Sequence, residues 1–254
     1  MRLFGEWILY FFVYSFLGWC CEVIYCSDFE KREFVNRGML SGPICPIYGV
    51  GSCVFIALFY GKIDSVFLLF VFGSVVASFI EYVSSIILER LFNARWWDYS
   101  TYPLNINGRV CILNSGLFGI LVIFLVGYVH RKVDGIISLF TDNTLFIVCI
   151  FLIFIFMYDL IKTILKLRAF NCKLNDVRNL SLELKKYNIS LKDRLNGKDN
   201  FEFDKRKLDL KRRLNKMKTS FDSERRILKA FPRLKHRKYD QEVKSIRNFF
   251  KNKE

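Results

Sequence analysis

The chain lacks the short motifs that would assign it a chemistry. It has no GxxxxGK[ST] phosphate loop, no HExxH, no GxSxG and no CxxC pair with metal-ligand spacing. The first absence means that the chain supplies no ATPase of its own, and the others leave no hydrolase signature. Histidine is scarce: His130 and His236 lie far apart in sequence, which argues against zinc and against histidine-based catalysis. No cofactor or metal is expected, and the chain reads more readily as a non-enzyme. The N-terminus lacks a small-residue cleavage site; Arg2 is followed by a long apolar run to Tyr25, which reads as a first membrane helix rather than a removed signal peptide. Net charge is also missing from the first two thirds. Residues 1–165 hold 11 Lys/Arg against 12 Asp/Glu, net −1, whereas residues 166–254 hold 28 against 12, net +16. That basic stretch has few aromatics and no recognised nucleic-acid motif, so nucleic acid is not an expected partner.

What is abundant is apolar. Of 254 residues, 52% are hydrophobic and 17% aromatic, with 27 Phe, too apolar for an ordinary soluble domain. A span of the hydrocarbon needs about 20 apolar residues. Five segments qualify: roughly Trp7–Tyr25, Ile44–Tyr60, Ile63–Leu88, Val110–Val129 and Leu145–Lys162. The second is short, and Pro43, Pro46, Gly49 and Gly51 crowd its start, so its first turns are expected to be bent or re-entrant. The expected architecture is all-α: a polytopic bundle of about five transmembrane helices over residues 1–165, then a basic, cytoplasmic helical tail over 166–254. Most of the eight cysteines lie in or beside apolar spans and read as free, buried, small hydrophobes.

Orientation follows from Lys and Arg in the short loops. Lys31, Arg32 and Arg37 follow the first span and Arg90, Arg95 and Arg109 the third; Arg2, Lys62, Arg131 and Lys132 lie on the other side. Six against four is a small excess, but the basic tail joins the six. The C-terminus is therefore predicted to be cytoplasmic and the N-terminus external, in a bacterial cell membrane.

In the tail, Phe170, Val177, Leu184 and Leu191 recur at sevens beside Leu167, Leu174 and Leu195, a seam through which this helix could self-associate. Ser181 and Asn188 interrupt the companion row, and Gly197–Asn200 is expected to break the helix. A second stripe, Leu210, Leu214, Met217, Phe221 and Leu228, ends at Phe231-Pro232. Two amphipathic helices, a candidate coiled-coil hairpin, and a short terminal helix are predicted. The competing reading is a solvated basic helix held near anionic headgroups.

Charge within the spans is costly and suggests purpose. Ser15, Gly18, Glu22 and Tyr25 share one face of the first span; Ser74, Ser78, Glu81 and Ser85 share one face of the third, with Glu89 near its end. The serines and glycines suit close helix packing. The carboxylates should face a partner or a cavity, and Arg37, Arg95 and Arg109 are the nearest candidates.

Two loops concentrate the remaining polar residues. Phe34–Tyr48 contains Asn36, Arg37, Gly38, Gly42, Pro43 and Pro46, and Tyr48 and Gly49 close it. Its glycines permit unusual backbone shapes and its prolines fix φ, so it should hold one conformation. Its bared amides beside Arg37 offer a place for an anion, against the plainer reading of a turn. Arg95–Arg109 contains Trp96, Trp97, Asp98, Tyr99, Ser100, Asn105 and Gly108. Tandem tryptophans commonly form an interfacial belt; the density of polar residues suggests instead a folded loop in which Asp98 pairs with an arginine and Trp97 stacks on it or on a ligand.

These residues resemble the putative ABC-transporter type IV family, the CmpB-like multi-pass membrane proteins of bacteria. The resemblance rests on Tyr14-Ser15-Phe16-Leu17-Gly18-Trp19 with Glu22; on Asn36-Arg37-Gly38-x-Leu40-x-Gly42-Pro43-x-Cys45-Pro46-Ile47-Tyr48-Gly49; on Glu81-Tyr82; on Trp96-Trp97-Asp98-Tyr99-Ser100; and on Asn105-x-x-Gly108-Arg109. It covers roughly residues 10–130, with the tail similar only around Lys229-Ala230-Phe231-Pro232. It implies a membrane protein labelled a permease and assigns no residue a role.

The leading expectation is a membrane transport component with a polar, cytoplasm-facing pocket for a small solute, roofed by the two loops. Glu22, Glu81 and Glu89 would line or gate it, Arg37 and Arg109 would fix a negative group or neutralise those carboxylates, and Trp97 and Tyr99 would stack. The expected partners are the lipid bilayer, a separate ATPase subunit if transport is ATP-driven, and a second copy through the 167–195 helix. The alternatives are a non-transporting scaffold or sensor acting through the tail, and an intramembrane lipid-modifying enzyme using Glu81 with Asp98.

Overall fold

The computed structural model describes residues 2–26, 36–193, 200–221 and 224–252, and the side chains of all of these except 188–193 and 200–204. In hydrocarbon, backbone N–H and C=O groups must be bonded within their own segment, so the apolar runs fold as helices. Four helical stretches are long and apolar enough to cross a membrane: Arg2–Tyr25, Val66–Phe92, Ile112–Ser138 and the first part of Asp142–Tyr187. They belong to α1 (Arg2–Cys26), to α3 (Val66–Phe92), to the continuous α4 (Ile112–Phe124), π-helical turn (Leu125–Val129) and α5 (His130–Ser138), and to α6 (Asp142–Asp193). Helix α2 (Pro46–Phe59) has 14 residues, or about 21 Å of rise. It starts at Pro46, whose missing N–H costs nothing at the first helical position.

Two boundaries differ from the hydropathy reading. The fourth span does not end at Val129 but runs on through Arg131 and Lys132 to Ser138. Residues His130 and Asp134, one turn apart, turn inward: Tyr14 Oη lies 2.8 Å from His130 Nδ1, and Tyr10 bonds to Asp134. At the same end Arg2 donates to Glu6 at 2.9 Å and to Asp142 at 2.6 Å, tying the start of α1 to the start of α6. The fifth span, for its part, does not stop near Lys162: α6 is one helix of 52 residues, about 78 Å long. Its second half is the first helix of the tail.

Small residues set the spacing of the bundle. A Cβ placed on Gly49 of α2 would meet Ser15 Oγ and lie 2.5 Å from the Phe11 carbonyl oxygen of α1, and one on Gly18 would enter the Tyr48 ring. Between α3 and α4 a Cβ on Gly73 would come within 2.9 Å of Val122, and the Ser78 and Ser115 hydroxyls bond at 2.6 Å. The serine–glycine stripes are thus packing seams. Tyr25 departs from its stripe and is exposed. The first-loop glycines also act differently from the expectation. Among the described residues the glycines with positive φ are Gly61 and Gly108, so Gly38, Gly42 and Gly49 use ordinary backbone, and Gly49 matters for its missing side chain.

Beyond the membrane segments, α7 (Asn200–Thr219) runs back along α6, followed by α8 (Arg225–Ala230) and α9 (Asp240–Lys251). Leu167, Phe170, Leu174 and Val177 of α6 form one core with Phe221, Ile227, Leu228, Val243, Ile246 and Phe250. Leu184 and Leu210 are buried as well; Leu191, Leu195, the Asn188 side chain and the proposed break at 197–199 lie outside what is described. This core continues into Phe92, Ala94 and Trp96, at the end of α3 and in the second loop. Strand β1 (Ala94–Arg95) is separated in sequence from β2 (Asn105–Ile106) and β3 (Val110–Cys111), which pair with each other. Strand β1 itself pairs antiparallel with β4 (Lys235–His236) of the tail, Ala94 opposite His236 and Arg95 opposite Lys235.

The packing between α1 and α2 leads to a direct test. Gly49→Ala should destabilise the detergent-solubilised protein by about 1–3 kcal/mol, as overpacking does, while Gly116→Ala, with no atom within 4 Å of the new Cβ, should not. Thermal unfolding of the two variants checks this; equal midpoints would show that the helices do not meet as described.

Candidate functional site

The polar residues of α1, α3 and both loops converge at the end of the bundle that carries the tail. Glu22 Oε1 accepts from Tyr48 Oη at 2.6 Å, and its second oxygen lies 3.6 Å from Arg37 Nε. Glu89 Oε2 accepts from Arg109 Nη2 at 2.6 Å and lies 3.7 Å from Arg95 Nε. Arg109 also donates to Ser85 Oγ at 2.8 Å and sits 5.8 Å from the centre of the Tyr82 ring. Such charge-assisted bonds are the means by which ionised groups are held out of water.

Glu81 is different. It is 5% exposed; Tyr99 Oη donates to Oε1 at 3.2 Å, and Oε2 is buried with no hydrogen-bond partner. Tyr99 is placed by a backbone bond from its N–H to the Gly108 carbonyl at 2.8 Å. Burial and the neighbouring Glu81 carboxylate push the Tyr99 phenol well above its ordinary value, which keeps it a donor.

The first loop is folded as one piece by its own side chains. Asn36 Oδ1 accepts from Trp19 Nε1 at 2.9 Å and from the Gly38 N–H at 3.1 Å, while Asn36 Nδ2 donates to the Ser41 carbonyl at 3.0 Å. The bared amides do receive an anion, and it belongs to the chain: the Ser41 and Gly42 N–H groups donate to Asp159 of α6 at 3.2 and 2.8 Å. Pro43 is exposed beside them.

In the second loop the Asn107-Gly108 dipeptide turns the β2–β3 hairpin with positive φ at both residues, 53° and 66°, and the Arg109 N–H donates to Ile106 O at 3.0 Å. This is the turn that Asn-Gly favours. A Cβ on Gly108 would lie 2.6 Å from Asp98 Oδ1. Asn105 braces the loop, donating to the Tyr102 carbonyl and accepting from the Gly108 N–H. Asp98 is 6% exposed and pairs chiefly with Lys235 of the tail; Ser100 donates to it through N–H and Oγ, and Arg95 is 3.9 Å away. Burial alone would raise its carboxyl, but Lys235 and Ser100 outweigh it and hold the group below its usual range. Trp97 donates Nε1–H to the Arg109 carbonyl at 3.0 Å, which ties the two ends of the loop together. Trp96 is not an interfacial residue but core, 3% exposed, edge-on to Phe231 at 4.8 Å.

Phe231 joins the two loops. Its ring lies 5.7 Å from the Arg37 guanidinium, which also donates to the Ala230 carbonyl, while Arg226 donates to the carbonyls of Gly38 and Met39 at 2.9 and 3.2 Å. Asp159, Arg226, Lys235 and His236 were not singled out from the sequence. Asp159 carried the same signal as Glu22, a lone acid in an apolar run; Arg226 and Lys235 are indistinguishable within a tail of 28 Lys and Arg. Glu81 bonds to Tyr99, and Asp98 pairs with Lys235.

Residues 9–164 match the family model described as "Putative ABC-transporter type IV". The chain belongs to this family. The match takes in both loops, Glu22, Glu81, Glu89 and Asp159, and ends before the tail residues that hold the loops. No curated protein and no solved structure matches the chain. Among the described residues, no three His, Cys, Asp or Glu side chains are grouped to hold a metal ion.

The clasp between loop and tail has a titratable member. His236 is 2% exposed; its Nδ1 accepts from the Lys238 and Tyr239 N–H groups at 3.1 Å each, leaving Nε2–H for Asn171 Oδ1 at 3.1 Å. Burial lowers its pKa from 6.5, with Asp240 opposing and Lys238 assisting. The unfolded or undocked form therefore binds the proton more readily, so docking is strongest above about pH 6.5 and weakens as pH falls toward the lowered value. Hydrogen exchange of residues 224–252 should increase from pH 7.5 to pH 5.5 after correction for intrinsic rates, and His236→Gln should flatten that dependence. An unchanged pH profile in the variant would contradict the role of His236.

Proposed function

We propose that the protein is a membrane transport component in which Glu81, beneath the two loops, is the binding group for a small solute. The observation that carries this reading is the buried carboxylate oxygen of Glu81 without a partner. A group of this kind is expensive at membrane depth, and polar residues within spans characteristically mark substrate or ion pathways. Membership of a family described as ABC-transporter type IV supports the same direction. In this reading Glu22 and Glu89 hold Arg37 and Arg109, which anchor the loops as a roof. The loop-and-tail face is cytoplasmic, with the N-terminus external, because basic residues accumulate on that side. The chain contains no ATP-binding motif, so ATP-driven movement requires a separate ATPase, which docks on the tail and reaches the loops through their common core. The bacterial cell membrane is the corresponding location.

A second reading, a scaffold or sensor that works through the tail, is favoured by one specific feature: the tail core and the second loop are one hydrophobic unit. Under it, Phe231→Ala abolishes function while Glu81→Gln leaves it intact.

Uptake of labelled methylammonium, sodium, phosphate and glycine into proteoliposomes, with and without co-purified ATPases, tests the proposal. The expected result is flux of one probe class that Glu81→Gln reduces at least about ten-fold, equivalent to about 1.4 kcal/mol. Well-inserted protein that binds and moves none of them under any condition would remove the transport reading.

A further inference from the structure

We infer that the position beneath the loops accepts a single positive charge, a small monovalent cationic group or a proton, and not an anion. This rests on the reading of Glu81 as the solute-binding group and deepens it.

Five cations on the elements around Glu81 have partners of their own. From the first loop, Arg37 faces Glu22 and the Ala230 carbonyl. From the second, Arg109 is bound to Glu89 and Ser85, and Arg95 lies between Glu89 and Asp98. Lys235 of the tail is held by Asp98 and Arg226 by loop carbonyls. Each of these five cations is already engaged. The carboxylates are not all matched in the same way: among the described residues Glu81 has no Lys, Arg or His within ion-pair distance, only the Tyr99 hydroxyl on one oxygen.

An incoming anion would therefore meet Glu81, with Glu22 nearby, and would have to break arginine–glutamate pairs to find a donor. A cation would find an oxygen with unused lone pairs and, on the same carboxylate, the Tyr99 hydroxyl, whose oxygen can also accept. A divalent ion is disfavoured, because such ions need several carboxylate ligands and no group of three acidic or metal-ligating side chains is present among the described residues. Glu81 is also 5% exposed. An unmatched ionised carboxylate buried in this way is costly, so in the absence of a cationic solute the proton is the natural occupant.

The test uses the full-length protein in nanodiscs at constant ionic strength, with methylammonium chloride, sodium chloride and sodium phosphate as probes. Thermal unfolding is followed for wild type, Glu81→Gln, Gly116→Ala and Arg109→Gln, and infrared difference spectra record the protonated carboxyl band. A saturable rise in Tm with methylammonium or sodium, lost in Glu81→Gln and kept in Gly116→Ala, where an added Cβ meets no atom within 4 Å, supports the inference and makes the charge a cation. A protonated carboxyl band in wild type that disappears in Glu81→Gln, without a response to either cation, supports it and makes the charge a proton. If Glu81→Gln fails to accumulate, loss of the wild-type carboxyl band on adding methylammonium gives the same information. A rise in Tm with phosphate that Arg109→Gln abolishes would overturn the inference, as would the absence of both a carboxyl band and any cation response. Cation binding without flux would remove the transport reading and leave this inference standing; phosphate flux into proteoliposomes that Glu81→Gln reduces would keep the transport reading and remove the inference.

Discussion

A polar group that leaves water for hydrocarbon must find its partner inside the protein, and this constraint orders the whole molecule. It makes the apolar runs helical, and it explains why nearly every polar side chain near the loops is bound to another. Arg37 is opposite Glu22, Arg109 is bound to Glu89 and Ser85, and Asp159 receives two backbone amides that the first loop would otherwise leave bare. Five buried side-chain atoms among the described residues lack a partner, Ser15 Oγ and Trp96 Nε1 with them, and the Glu81 oxygen is the one that belongs to a carboxylate within a membrane span.

The same constraint explains why the tail is more than an appendage. Helix α6 continues unbroken from the membrane segment, so the tail starts from a rigid base. It then returns to the bundle and completes the loops: Phe231 fills the space between Arg37 and Trp96, Lys235 takes Asp98, and β4 extends the edge of β1. The tail therefore touches both loops, and the second loop reaches Glu81 through Tyr99. The two readings of function differ in which end of that chain of contacts drives the other.

Much of this was legible in the sequence, for identifiable reasons. Helical spans are declared by runs of apolar residues, and the acids Glu22, Glu81 and Glu89 stand out because charge is rare there. The heptad spacing from Leu167 to Val177 announced a buried seam, which the chain covers with its own α7 to α9. The failures are equally physical. Hydropathy ends the fourth span at Val129, before His130 and Arg131, because it cannot see that His130 and Asp134 turn inward to tyrosines of α1. The partners of the loops, Arg226 and Lys235, lie more than 100 residues away in a stretch rich in similar residues, and only the fold selects them. The Asn107-Gly108 hairpin was a readable signal that an all-helical expectation passed over.

A solute site at Glu81 requires that position 81 be open to water-soluble groups from the tail side. Accessibility of a cysteine at that position, in an otherwise cysteine-free protein reconstituted with known orientation, measures this directly. A small cationic thiol reagent added on the tail side should label Glu81→Cys far faster than Phe79→Cys, whose side chain faces outward from the bundle, and faster than the same reagent added on the opposite side. Equal and negligible labelling of positions 81 and 79 from both sides would contradict a solute site at Glu81 and leave it a sealed structural carboxyl.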